Sequence, residues 1–229
     1  MSRSDYYASP FGVAFSAYME RPRLSRLIAR TFWGSDIRPY YESMAAVAEA
    51  PRGGTVVDCP CGAGPALRGL APGQSVRYLA VDLSPSMLRR ARRRAEARSL
   101  SRVELVEADA TKVPLPDDSA DLFLSYWGLH CFDDPAAALR EAGRILKPGG
   151  RLVGSTFVLG GSRRRGRLLV KPGRGDFGRP GSGDDVMRWL GEAGFAQPDI
   201  RSSGSMLYFD ARLRRASGPT RPPSRAPSR

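Results

Sequence analysis

Between Thr55 and Phe157 the chain repeats one device: a short apolar run, an acidic residue near its end, a turn, then a stretch with helical periodicity. Val56-Val57-Asp58, Ala80-Val81-Asp82 and Val106-Glu107-Ala108-Asp109 are the first three such ends. Strands that alternate with helices run parallel, because each helix carries the chain from the end of one strand back to the start of the next. The pattern predicts strands over 55–59, 77–82, 103–108, 120–127 and 151–157, with helices over 64–70, 85–99 and 135–146. Ser84-Pro85 and Asp134-Pro135 each set an N-cap residue before a proline at the first helical position. Lys147-Pro148-Gly149-Gly150 stops the third helix with a cation and helix breakers. Residues 160–181, rich in Gly and Arg, read as a long loop, followed by a helix over 184–194 and strands over 198–203 and 205–212. The fold class is therefore α/β, a Rossmann-like doubly wound sheet.

Before Thr55 the period is different. Leu24, Leu27, Ile28 and Phe32-Trp33 recur at helical spacing, and Gly34-Ser35-Asp36 breaks the run. A second helix over 36–50 carries Ile37, Tyr40, Tyr41, Met44 and Val47. The chain thus divides into an N-terminal helical cap (1–53), a sheet domain (54–215) and a tail (216–229) too poor in apolar residues to order. No apolar run approaches the length of a membrane span, and Met1–Tyr7 lack the apolar core of a signal peptide, so a cytoplasmic location is expected.

The net charge of +13 raises the question of nucleic acid. Most of it sits in three places: six Arg in 88–98, five Arg and one Lys in 162–174, and six Arg in 211–229. With 33 Arg against 3 Lys, the bias fits a GC-rich coding sequence better than a selected phosphate-binding surface, which leaves nucleic acid open and not favoured. Cys59, Cys61 and Cys131 are odd in number and read as reduced, buried thiols. Cys59-Pro60-Cys61 is too tight for a zinc pair and no second pair follows, so no metal is expected.

The first strand leads into Cys61-Gly62-Ala63-Gly64. Glycine after a buried strand lets backbone approach a ligand closely, although small residues there can equally serve strand–helix packing. The turn is not a phosphate loop, since no Gly-Lys-Ser/Thr follows. Asp82, 18 residues after Gly64, can accept hydrogen bonds from both hydroxyls of a ribose. Asp109 can accept from an adenine amino group or simply form a turn. Asp58, Asp82 and Asp109 together would converge at the strand tips, where a doubly wound sheet binds its ligand.

These segments resemble the motifs of class I S-adenosylmethionine-dependent methyltransferases, nearest the small-molecule subgroup that includes ubiquinone and menaquinone biosynthesis enzymes. Val57 through Gly64 resembles the first motif, Asp82 the ribose position, Glu107–Ala110 the adenine-side motif, Asp121–His130 the fourth-strand motif, and Arg144–Leu152 the Leu-Lys-Pro-Gly-Gly turn. The resemblance implies a seven-stranded sheet with the last strand antiparallel, and S-adenosyl-L-methionine as cofactor. It implies Asp58, Cys59, Gly62 and Gly64 at the methionine end, Asp82 and Leu83 on the ribose, Met87 beside the adenosine, Asp109 and Ala110 against adenine, and Ser125 near the sulfonium. One departure stands out: Pro60 replaces a usual glycine and removes one backbone N–H.

The expected activity is methyl transfer to O, N or C of a small-molecule acceptor. His130, the sole histidine, follows the fourth strand and is the candidate catalytic base, a structural role being the alternative. Trp127 reads either as acceptor wall or as core, and Tyr6, Tyr7, Tyr40 and Tyr41 lie in the segment that in such enzymes often covers the acceptor. An RNA methyltransferase and a catalytically silent cofactor-binding subunit are the competing readings. Ser125-Tyr126-Trp127-Gly128 stands where base-amino methyltransferases carry Asn/Asp-Pro-Pro-Tyr/Phe.

Overall fold

The structure, a computed structural model, describes residues 18–19, 21–159 and 181–214, without the side chains of Phe32 and Trp33. Tyr6, Tyr7, the 160–180 part of the expected loop, and the tail lie outside the described residues. Seven strands form one sheet: β1 (Thr55–Asp58), β2 (Arg77–Asp82), β3 (Val103–Glu107), β4 (Ala120–Tyr126), β5 (Leu146–Phe157), β6 (Phe195–Ser203) and β7 (Met206–Leu213). Their order is β3-β2-β1-β4-β5-β7-β6. All neighbours pair in parallel except β7, which runs antiparallel to both β5 and β6. This is a Rossmann-like sheet with its last strand reversed, as the family resemblance implies. The chain winds outward from β1 to β3 and then crosses back to β4, so the crevice opens where β1 and β4 end.

Alternation along the strands divides the core in two. Val56, Tyr78, Ala80, Leu122, Leu124 and Val153 face one layer, which holds Ile37, Tyr40 and Met44 of the N-terminal segment and Leu88, Ala91 and Ala95 of helix α3 (Pro85–Ala97). Val57, Leu79, Val81, Phe123 and Leu152 face the other, against α4 (Pro135–Ile145) and α5 (Gly183–Glu192). The N-terminal segment forms α1 (Pro22–Ile28), which continues as a π-helical turn over Ala29–Trp33, and α2 (Arg38–Ser43), which tightens into a 3-10 turn over Met44–Val47. It is tied to the β6–β7 hairpin: Tyr208 donates its hydroxyl to the Asp36 carbonyl at 2.7 Å, and Ser205 N–H donates to Ser35 Oγ at 3.2 Å. Gly204 stands here at φ +58°, where a Cβ would lie 2.6 Å from the Gly34 carbonyl oxygen.

Several boundaries differ from the sequence pattern. The expected helix over 64–70 is one 3-10 turn, Pro65–Gly69, because Gly64 enters at φ +75° and Leu70 is already extended. Gly69 lets this turn press onto the 3-10 turn of the N-terminal segment; a Cβ would sit 2.0 Å from the Met44 carbonyl oxygen. The turn after α4 also begins β5. Leu146 pairs with Ala120, the register slips, and Arg151 pairs with Leu122, with Gly149 taking φ +82° in the slack. β6 starts at Phe195, three residues early, across an irregularity at Gln197-Pro198 where proline offers no ladder N–H. Asp134 caps α4 through Ala137 N–H at 2.8 Å, whereas Ser84 occupies the N-cap of α3 without capping it, its Oγ meeting Ser86 Oγ at 2.9 Å.

Candidate functional site

Two aspartates at neighbouring strand ends build the centre of the crevice. Asp82 Oδ1 accepts Ser84 N–H at 2.9 Å and Oδ2 accepts Gly62 N–H at 2.8 Å, so this carboxylate stitches the turn after β1 to the turn after β2. Each oxygen keeps a second lone pair. Asp82 is 9% exposed, and burial raises its carboxyl above the ordinary range against the lowering effect of those N–H donors. Asp58 is fully enclosed and accepts the Tyr78 hydroxyl at 2.8 Å. Burial, reinforced by the Asp82 charge, pushes its carboxyl up to about 7. Two buried carboxylates with one neutral donor between strands form a site that gains from a cation nearby.

The Gly-rich turn wraps this pair. Cys61 N–H continues the β2 ladder to the Val81 carbonyl, and Gly64 N–H returns to the Cys61 carbonyl, both near 2.9 Å (2.8 and 2.9 Å). Gly62 has φ +52° with open space where a Cβ would stand, so ligand can reach its backbone. Gly64 instead packs inward, its absent Cβ directed at Leu67 and Ala91. Pro60 follows Cys59 through a cis peptide.

The expected adenosine-side residues divide. Leu83 is 61% exposed at the tip of β2, an apolar surface beside the Asp82 carboxylate, while Met87 is buried in the first turn of α3. Asp109 is exposed, and its Oδ1 is spent on its own turn, accepting both the N–H and the hydroxyl of Thr111 at 2.7 Å. Asp109 therefore forms a turn, and only its Oδ2 is left for a ligand. Its field still joins those of Asp82 and Asp58 at the buried Cys59 thiol, which burial and these three charges hold well above the usual range. Cys59, Ala110, Ser125, Leu129 and Phe132 line a small, mostly apolar cavity at the ends of β1 and β4.

Beyond β4 the chain turns sharply. Trp127 takes φ +58°, a costly conformation for a bulky residue, fixed by its N–H donating to the Ser155 carbonyl at 2.7 Å. Its indole stands edge-on to Phe157 (4.8 Å) and Tyr40 (5.9 Å), and Tyr40 packs on Tyr41 and Tyr126. His130, in the 3-10 turn Leu129–Cys131, is 5% exposed, and burial drives its imidazole down to about 3. Sequence reasoning missed Tyr78, Thr156 and the backbone strain at Trp127; a strand-centre Tyr and a Thr at a strand end carry no motif signal. Among the described residues no group of three or more His, Cys, Asp or Glu is arranged to hold a metal ion, and no helix is long and apolar enough to cross a membrane.

Residues 57–154 match a family described as a methyltransferase domain. The chain is 38% identical over 136 residues to the demethylmenaquinone methyltransferase of Thermus thermophilus, covering 58% of this chain and 60% of that protein. It is 40% identical over 117 residues to a malonyl-[acyl-carrier protein] O-methyltransferase of Halorhodospira halophila, covering 51% of this chain and 38% of that protein. The chain thus spans less than two thirds of the length of either relative. A solved SAM-dependent methyltransferase from Aquifex aeolicus shares the fold with a TM-score of 0.60 at 22% identity, over 81% of this chain and 93% of that one.

Proposed function

We propose that residues 57–154, which match a methyltransferase domain, form a class I S-adenosylmethionine-dependent methyltransferase and that the protein methylates a small-molecule acceptor. The observation that carries this reading is the Asp82 carboxylate. It is buried, bonded to Gly62 and Ser84, and keeps lone pairs for two ribose hydroxyls beside the exposed face of Leu83. The fit extends to Asp58, whose enclosed carboxyl suits the cationic methionine end, with Cys59, Gly62 and Gly64 forming the turn around it. Met87, Asp109 through Oδ2, Ala110 and Ser125 would complete the adenosine and sulfonium sides. When bound, S-adenosyl-L-methionine supplies a methyl group already activated on a positive sulfur.

The chain's own task is then orientation and exclusion of water. Holding the acceptor in line can supply about 7–11 kcal/mol of the barrier. Tyr40, Tyr41, Trp127 and Phe157 form an aromatic wall beside the crevice, and α1 and α2 cover that face. The relative from Thermus thermophilus is named for demethylmenaquinone, a small molecule, which supports a small-molecule acceptor here too.

The test is calorimetry of the full chain with S-adenosylhomocysteine, followed by transfer of labelled methyl from S-adenosylmethionine to a panel of small acceptors and to RNA. Saturable heat together with a labelled small molecule is expected. No heat removes the cofactor reading. Heat with label entering RNA alone moves the protein to the nucleic-acid class, and heat without any label to a silent binding subunit.

A further inference from the structure

Among the described residues the Asp58 carboxyl has one hydrogen-bond donor, and that donor stands on the neighbouring strand. β1 and β2 run parallel, with Val56 opposite Tyr78 and Asp58 opposite Ala80. Side chains alternate along a strand, so Val56, Tyr78 and Asp58 share the face of the sheet that the N-terminal segment covers. Tyr78 is thus set one two-residue step, about 6.6 Å, behind Asp58. Its ring covers that step and delivers the hydroxyl to Asp58 Oδ2 at 2.8 Å. Both residues are fully buried.

An ionised carboxyl has about four lone-pair sites. Tyr78 fills one, and it is a neutral donor. The charge that acts on Asp58 from the described residues is that of Asp82, of the same sign. The Tyr40 phenol of α2 and the Tyr126 phenol of β4 lie near enough to feel Asp58, but the hydrogen bond comes from Tyr78. A buried phenol is satisfied by any neutral acceptor, so the Tyr78 hydroxyl does not by itself account for a carboxyl at this place. Buried charges are ordinarily paired, and the partner that would suit this one is a cation brought by a ligand.

We propose that Tyr78 is a positioning residue for the cofactor: its hydroxyl holds Asp58 Oδ2, which leaves Oδ1 as the acceptor of a ligand ammonium, and the pair selects ligands that carry this cation at the methionine end. The assignment rests on the methyltransferase reading. S-adenosylmethionine and S-adenosylhomocysteine carry the same ammonium, so Tyr78 acts on the binding of both and leaves the sulfonium to other residues. Without the phenol the carboxyl loses its fixed rotation. Its neutral form also gains, because the Tyr78 bond opposes the effect of burial there. A neutral carboxyl holds an ammonium less strongly than an ionised one.

Calorimetry of the full chain with two probes tests this. S-adenosylhomocysteine has the ammonium; 5′-methylthioadenosine keeps the adenosine and the sulfur and lacks it. Tyr78→Phe retains the ring and removes only the donor. It should weaken S-adenosylhomocysteine about three- to tenfold and leave 5′-methylthioadenosine within about twofold. A tyrosine that merely fills the core would loosen both probes alike, so equal losses, or none, overturn the proposal. Because Tyr78 acts through Asp58, Tyr78→Phe should weaken S-adenosylhomocysteine no further once Asp58→Asn is present; additive losses also overturn it. Should Tyr78→Phe not fold, Asp58→Asn alone must lose S-adenosylhomocysteine selectively, and an affinity equal to the parent's overturns the assignment. If the parent binds neither probe, the methyltransferase reading fails and takes the assignment with it. If the parent binds S-adenosylhomocysteine and Tyr78→Phe binds it equally well, only the assignment fails.

Discussion

Asp58→Asn should stabilise the protein without ligand, and by an amount that grows with pH. The carboxyl is enclosed by the sheet, takes one hydrogen bond from Tyr78, and has burial lift its pKa from 3.8 to about 7. A group raised in the folded state contributes stability that is complete below its unfolded pKa and is lost as pH rises through the folded one. One unit corresponds to 1.36 kcal/mol, so burying this carboxyl costs on the order of 4 kcal/mol at pH 8, where it is ionised, and roughly 1.5–2 kcal/mol at pH 5, where folding must first protonate it. Asparagine stays neutral and can still accept the Tyr78 hydroxyl. Its advantage over the parent should therefore widen by about 2–3 kcal/mol between those pH values. His130 acts in the opposite sense: depressed to about 3, it contributes stability that is complete above 6.5 and lost as pH falls toward 3. That term is common to both proteins and cancels in their difference. Urea unfolding of parent and variant at pH 5 and 8, extrapolated to water, measures the difference. A variant whose advantage is flat with pH, or negative at pH 8, refutes a carboxylate ionised against burial at this place.

Asp82→Ala removes the acceptor of both Gly62 and Ser84 N–H, each a charge-assisted bond worth about 1.5–3 kcal/mol; S-adenosylhomocysteine affinity by calorimetry should fall at least about tenfold, and an unchanged affinity would separate Asp82 from the ligand. Gly62→Ala meets open space but a positive φ, so it should cost about 1 kcal/mol in unfolding experiments while lowering ligand affinity, because its methyl points where ligand approaches. Gly64→Ala meets Leu67 at 2.8 Å and Ala91 at 3.3 Å besides its φ of +75°; it should lower the thermal midpoint clearly more than Gly62→Ala, and the reverse ranking would show that the turn is arranged otherwise.

The sheet was legible because its strands are buried on both faces and read as apolar runs punctuated by helices. All seven strands appear near their expected places, and the reversed last strand implied by the family resemblance is present. What the pattern missed is where backbone geometry overrides residue type. Lys147-Pro148-Gly149-Gly150 does end a helix, yet the same residues begin β5, since Ala120 needs Leu146 opposite it. Ser84 has the right chemistry for a cap, but Ser86 Oγ engages its side chain and Asp82 takes its N–H. Asp109 follows the pattern of a strand-end acid, yet it lies beyond β3 and closes its own turn through Thr111. The identity of the crevice acids was legible. Their inequality was not, because it comes from burial: Asp58 enclosed, Asp82 at the rim, Asp109 in solvent.

That inequality bears on how the crevice would receive a cation. A sulfonium ligand carries a fixed positive charge and gains from carboxylates that water does not screen. Asp58 and Asp82 are kept in that condition at a cost to the unliganded fold. A histidine that ionised near neutral pH, on the turn leading from β4, would work against them. Burial lowers the His130 imidazole to about 3, below the range in which free histidine titrates. His130→Lys should lose affinity for S-adenosylmethionine more than for the uncharged-sulfur product, a ratio that competition calorimetry reads directly. Equal losses for the two ligands would mean that position 130 does not sense the sulfonium charge.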